Sequence, residues 1–250
     1  MTVTSSRDER RLYGDLAWTW PIISAPDHYV AEATAFVKAI RKHSRIGLKT
    51  LLDLGCGGGH NDFTLKKHCQ VTGVDISEAM LTLARHLNPD VTYLLGDMRE
   101  VRLGRTFDAV IIADSIDYML TLDDLGAAFL TSFEHLRPGG VFCTYAQRTP
   151  HNWRQNETEC STGAQGETEL VFINNRYDPD PTDTTYENVF VYLIRCGGEL
   201  VIETDRHLGG IFSLDVWHSA LSEVGFTVEQ AELDGEGIPM FCCIKPMEAS

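Results

Sequence analysis

The chain has 250 residues, 43% of them hydrophobic, and its 21 basic against 36 acidic side chains give a formal charge of −15. That length suits one main α/β domain with a small elaboration, and the charge repels phosphate backbones while favouring cationic or neutral ligands, so nucleic acid is not an expected partner. Apolar runs such as "AVIIA", residues 109–113, fall far short of the ~20 residues a spanning helix needs, and "MTVTSSRDERR" lacks the apolar stretch of a secretion signal. Seven scattered cysteines without CxxC spacing argue against a metal site or a disulfide framework, and a reducing cytoplasm is the expected location.

In chain order, residues 29–42 carry Val30, Ala33, Phe36, Val37 and Ile40 at helical spacing. From Lys49 the apolar runs "KTLLDLG", "VTGVDI", "VTYLLGD", "FDAVIIAD" and "GVFCTYA" read as buried strands. Between them lie expected helices at 61–68, at 77–87 with Ser77 as N-cap, and at 123–136, the last halted by Pro138, Gly139 and Gly140. This alternation predicts an α/β fold, a doubly wound Rossmann-like parallel sheet.

The character changes after Gln147. Residues 148–165 read as polar and turn-rich, and three alternating stretches follow: "TELVFINNRY", "TTYENVFVYLI" and "ELVIETDRHL". They predict an inserted antiparallel β meander, expected to lay the side carrying Val171 and Ile173 over the pocket as a lid. A helix capped by Ser213 and stopped by Gly225, then "TVEQAEL" and "MFCCIK", complete the chain. The expected organisation is an N-terminal helical segment at 1–48, a core at 49–147 and 211–250, and the inserted sheet at 148–210.

The stretch "LLDLGCGGGH" places Gly55, Gly57, Gly58 and Gly59 directly behind a strand that ends near Asp53. Bare backbone there brings amides and carbonyls against a ligand. A P-loop would need a Lys-Ser or Lys-Thr pair after Gly59, where none follows, and a GxGxxG fingerprint counted from Gly55 fails at His60, so NAD or FAD fits only through a degenerate motif.

The spacing Asp53-x-Gly55-x-Gly57-x-Gly59 does fit, and here the chain resembles the class I S-adenosylmethionine (SAM) dependent methyltransferases. The likeness continues through "VTGVDIS" with Asp75, "GDMREVRLGRTFDAV" with Asp97 and Met98, and "LRPGGVFCTYA". "YGDLAWTW" and "APDHYVAEA" resemble the entrance of the subfamily that N-methylates amino sugars and other small amines, which also carries an inserted sheet at this place. Gly58 departs from the Thr or Ser usual in the family.

The resemblance implies a SAM site in which Asp75 accepts from the ribose hydroxyls and Asp97 from the adenine amino group, with Ile76 and Met98 against the ring. It also implies that Gly55 and Ala113 offer carbonyls to the methionine amino group and that Tyr29 reaches the carboxylate. Asp53, Cys56, Gly57, Gly59 and Met80 complete the expected cofactor set. A carboxylate matches two adjacent O–H donors, in keeping with Asp75. The plainer alternatives are that Asp75 and Asp97 cap helices, Met98 fills core, Tyr13 and Trp20 staple the N-terminal segment, and His60 is an ordinary solvent or core histidine.

Methyl transfer demands alignment and exclusion of water more than a strong base. "ADSIDYM", after the fourth strand, offers Asp114, Ser115, Asp117 and Tyr118 to hold an acceptor, Tyr118 in first place and better suited to positioning than to proton abstraction. The expected substrate is a small molecule, an amine in first place; a hydroxyl or carboxylate acceptor, or SAM binding without catalysis, shares the same cofactor motifs. The sequence leaves the oligomeric state open, a homodimer included.

Overall fold

The computed structural model describes residues 8–233 and 237–247. The first seven and last three residues of the expected segments lie outside the described residues. After short 3-10 turns come α1 (Trp20–Ile23), α2 (Val30–His43), β1 (Thr50–Leu54), α3 (Asp62–Leu65), β2 (Gln70–Asp75), α4 (Glu78–Leu87) and β3 (Thr92–Leu95). Then follow β4 (Phe107–Ile111), a 3-10 helix at Asp114–Tyr118, α5 (Leu122–Glu134) and β5 (Leu136–Tyr145). The insert holds β6 (Glu157–Gln165), β7 (Thr168–Tyr177), β8 (Thr185–Cys196) and β9 (Glu199–Gly210), and α6 (Leu214–Val224), β10 (Thr227–Leu233) and β11 (Ile238–Ile244) close the core.

The main sheet has seven strands in the order β10-β11-β5-β4-β1-β2-β3. Its five strands from β5 to β3 are parallel, while β11 runs antiparallel to both β5 and β10. Successive side chains of a strand point to opposite faces, so Leu51 packs with Phe36 and Ile40 of α2 on one side, and Leu52 and Leu54 with Phe129 and Trp217 of α5 and α6 on the other. Both faces are therefore covered, which is why these strands read as unbroken apolar runs. The chain order reverses between β1 and β4, and the loops leaving their carboxyl ends part there to make a cleft.

Ser77 caps α4 by accepting from Met80 N at 3.0 Å, as its sequence position suggests. The helix expected at 61–68 contracts to α3, and Pro138, Gly139 and Gly140 lie inside β5, beside an irregularity in its pairing with β4 between Phe107 and Ala109.

Two expectations about the insert need correction. Its sheet has four strands, β6-β7-β8-β9, because 157–165 is an edge strand instead of a loop. The covered face is also the other one: Leu170, Phe190, Tyr192 and Ile194, with Phe172, pack on Leu12, Leu16, Ala17 and Met80, leaving Val171 and Ile173 on the outer side. The sheet thus shares a core with the N-terminal segment and α4. No helix among the described residues is long and apolar enough to cross a membrane.

Candidate active site

The glycine loop turns hard against β2, since the amides of Gly55 and Cys56 both donate to Val74 O, at 2.7 and 3.0 Å. A Cβ on Gly55 would overlap Ser115, so the turn closes only with glycine there. At Gly57 the backbone has φ +51°, and a Cβ would meet nothing within 4 Å. Its Cα therefore faces open space, the contact a ligand would take. Asp75 pins the loop: Oδ2 accepts from Gly57 N and Oδ1 from Ser77 N, both at 2.8 Å. Each oxygen keeps a further lone pair. Asp75 is only 8% exposed, and burial raises its carboxyl above the ordinary range.

Gly59 lies behind the loop against Tyr93 and Asn88, so of the expected loop residues it is the one away from the cavity wall. Gly58, which departs from the family pattern, sits where a Cβ would come within 3.0 Å of both Trp20 and His60. Those two are joined by a 2.8 Å bond from Trp20 Nε1 to His60 Nδ1, and burial lowers the imidazole to about 4, so it stays neutral. Beneath the loop, burial and the neighbouring Asp62 raise Asp53 well above its usual range, and burial raises Asp62 to about 6. Asp53 Oδ1 and both carboxylate oxygens of Asp62 are buried without a hydrogen-bond partner.

A cavity of about 400 Å³ opens above the loop, large enough for a small-molecule cofactor. Tyr29, Asp53, Gly55, Cys56 and Gly57 line one part of its wall, and Asp75, Ile76, Met80, Asp97, Met98 and Ala113 another. Ile76 is 62% exposed, an apolar side chain left open beside Asp75, with Met98 on the same cavity. Asp97 is held by Arg99 at 2.6 Å, and this pairing keeps its carboxyl below the ordinary range. Its oxygens are therefore shared between Arg99 and any adenine. Met80 belongs to the core under the insert, and the Ala113 carbonyl already accepts from Ile116 N at 3.3 Å. Tyr29 accepts from Ser24 Oγ at 3.1 Å.

The far end is built by the 3-10 helix after β4. Asp114 lines the cavity, and desolvation together with the charge of Asp75 raises its carboxyl. Tyr118 accepts from the Tyr13 hydroxyl at 2.9 Å and stands 2.6 Å from His207 Nδ1. Burial raises the phenol of Tyr118 well above 10, so it remains a neutral hydrogen-bonding group. His207 Nε2 meets Asp205 Oδ2 at 2.7 Å, and Asp205 also accepts from the amides of Arg11 and Leu12. Burial opposes the charge on Asp205, yet these hydrogen bonds hold its carboxyl below the ordinary range. Ser115, one of the residues offered for the acceptor, lines the cavity, and Arg10, Tyr13, Trp20 and His60 join its wall without having been chosen as site residues from the sequence. Tyr13, Trp20 and His60 had plausible packing roles, and nothing in their spacing told them from staples. Among the described residues, no cluster of His, Cys, Asp and Glu has the arrangement of a metal site.

The donors present fit SAM. The open Gly57 backbone, the spare lone pairs of Asp75, the bare Ile76 and the acidic wall match its amino acid, diol, ring and sulfonium.

Comparison with known proteins agrees. Residues 51–140 match the family described as "Methyltransferase domain". The dTDP-3-amino-3,4,6-trideoxy-alpha-D-glucopyranose N,N-dimethyltransferase of Streptomyces venezuelae is 43% identical over 45% of this chain and 48% of its own length. The match thus spans about half of that relative. The dTDP-3-amino-3,6-dideoxy-alpha-D-glucopyranose N,N-dimethyltransferase of Streptomyces fradiae is 27% identical over 80% of this chain and 78% of its own. The crystal structure of Streptomyces venezuelae DesVI superposes with a TM-score of 0.81 at 27% identity, covering 96% of this chain and all of that one. Residues 51–140 therefore match a methyltransferase domain, and the chain as a whole resembles the N-methyltransferases of amino sugars.

Proposed function

We propose that the protein transfers the methyl group of SAM to the nitrogen of a small amine, an amino sugar being the substrate class its relatives' names suggest. The observation that carries this reading is the continuity of one cavity, from the open Gly57 backbone and Asp75 to Asp114, Tyr13 and Tyr118. Bound SAM supplies an electrophilic methyl on a positive sulfonium. The work left to the chain is placement: Asp75 and the loop fix the cofactor, while Tyr118 and Tyr13 orient the acceptor by hydrogen bonds. Proximity and orientation of this kind contribute ~7–11 kcal/mol to such a displacement. Asp114 favours an amine over a polycarboxylate, since a negative wall attracts cations and repels acids. The seven unpaired cysteines suit a reducing cytoplasm as the place of action.

The test is mass spectrometry of the purified protein with SAM and a panel of sugar-linked amines, sugar hydroxyls and carboxylic acids. A gain of one CH2 unit on an amine is expected. Gain only on a hydroxyl or an acid would replace the amine reading, and no gain on any acceptor despite SAM binding would favour a non-catalytic module.

A further inference from the structure

Four side chains from three parts of the fold form one hydrogen-bonded line behind the acceptor end of the cavity. Tyr13 comes from the N-terminal segment, Tyr118 from the 3-10 helix after β4, and His207 and Asp205 from β9. The contacts run Tyr13 Oη to Tyr118 Oη at 2.9 Å, Tyr118 Oη to His207 Nδ1 at 2.6 Å, and His207 Nε2 to Asp205 Oδ2 at 2.7 Å. Only the two tyrosines reach the cavity; the side chains of His207 and Asp205 are both 0% exposed.

The direction of the line follows from its far end. An ionised Asp205 is an acceptor only, and it already takes the amides of Arg11 at 2.9 Å and Leu12 at 2.7 Å, so His207 must present its proton on Nε2. Nδ1 then carries a lone pair, and the Tyr118 hydroxyl donates to it. The Tyr118 oxygen in turn accepts from Tyr13 and keeps one lone pair. A structural clasp between β9 and the N-terminal segment needs Asp205 and the two amides alone. It gives no reason for a buried imidazole aimed at a phenol that lines the acceptor end.

We propose that His207, held by Asp205, is a positioning residue that takes up the proton released by the methyl acceptor, acting through Tyr118. The inference rests on the amine reading above. An acceptor ammonium gives its proton to the Tyr118 oxygen as the Tyr118 hydroxyl proton passes to His207 Nδ1. One N–H bond breaks and its electron pair stays on nitrogen as the nucleophile, one N–H bond forms on His207, and the imidazolium rests beside the Asp205 carboxylate. No further reactant is required. The groups facing this pathway are Arg10, whose guanidinium lies 4.7 Å over the Tyr118 ring, Tyr13, Asp114 on the same 3-10 helix, Phe190 from β8 at 4.5 Å from the imidazole, and Asn188, its register partner.

Two readouts test it. His207→Asn retains a group able to accept from Tyr118 but cannot take up a proton. With the amine identified by mass spectrometry, kcat should fall about a hundredfold near neutral pH and recover as pH rises, with the KM for SAM unchanged. Unchanged kcat with an unchanged pH profile would overturn the proposal. The second readout needs no turnover: nitrogen NMR of histidine-labelled protein bound to S-adenosylhomocysteine. His207 should show the Nε2–H tautomer, with its Nδ1 signal displaced by a hydrogen bond accepted from the Tyr118 hydroxyl. An Nδ1–H tautomer, or an Nδ1 without a hydrogen bond from Tyr118, would overturn it. If no amine is methylated by the parent protein, the functional reading fails by itself, and the NMR result still decides for or against the relay.

Discussion

Asp75 joins two jobs in one carboxylate, tying the glycine loop to the end of β2 and offering its remaining lone pairs to the cavity. Asp75→Ala should therefore weaken SAM binding by about 10 to 150-fold, the cost of one charge-assisted interaction of about 1.5–3 kcal/mol. Fluorescence titration giving parental affinity would remove Asp75 from the site. Gly57→Ala tests the same loop from the other side. The folded chain has room for the new Cβ, so the damage to stability is limited to the left-handed backbone angle, roughly 1–2 kcal/mol. SAM binding should nonetheless be lost, because the methyl group enters the space the ligand would fill. A variant that binds SAM normally would show that the loop does not pack on it. Asp53, Gly55, Gly57 and Asp75 could be found in the sequence because the loop is continuous and the next strand follows at once. The pairing of Tyr118 with His207 is 89 positions long, and no local pattern announces it.

At the level of elements, the sequence conveyed the parallel core well, since strands buried on both faces leave continuous apolar runs. It failed at β6, where "ETECSTGAQ" has almost no apolar residue to mark a strand. A polar edge strand needs none, because its partner β7 supplies the ladder. The covered face of β7 was misjudged for a different reason: Leu170 and Phe172 alternate with Val171 and Ile173, so both faces look apolar, and only the position of the N-terminal segment decides between them. The 3-10 helix Asp114–Tyr118 carries a consequence for pH. Burial, then the charge of Asp114, raises Asp117 from 3.8 to about 7, partly offset by the Tyr186 hydroxyl at 3.2 Å. Between those values the folded protein keeps a proton that the unfolded chain has lost, so stability from this group falls as pH rises from about 4 to 7. Asp117→Asn keeps an acceptor for Tyr186 and removes the penalty. Thermal melts should find the variant more stable than the parent near pH 8 and the difference gone near pH 4; an advantage independent of pH would contradict the assignment.

On the scale of the whole molecule, the N-terminal segment and the cleft at the strand-order reversal together wall one cavity. The inserted sheet is joined to that wall from behind: its inner face, Leu12 and Leu16 of the N-terminal segment, and Met80 of α4 form a single apolar cluster. That shared core is what brings Tyr13 and His207 to Tyr118. A lid read from the sequence alone looks separable, because contacts between distant segments leave no periodicity to read. The central claim is that the cavity over Gly57 is a SAM site rather than a degenerate dinucleotide site. Isothermal titration of the parent protein with SAM and, separately, with NAD tests it most directly. Saturable binding of one SAM per chain with no heat from NAD is the predicted result; binding of NAD, or no binding of SAM, would contradict it.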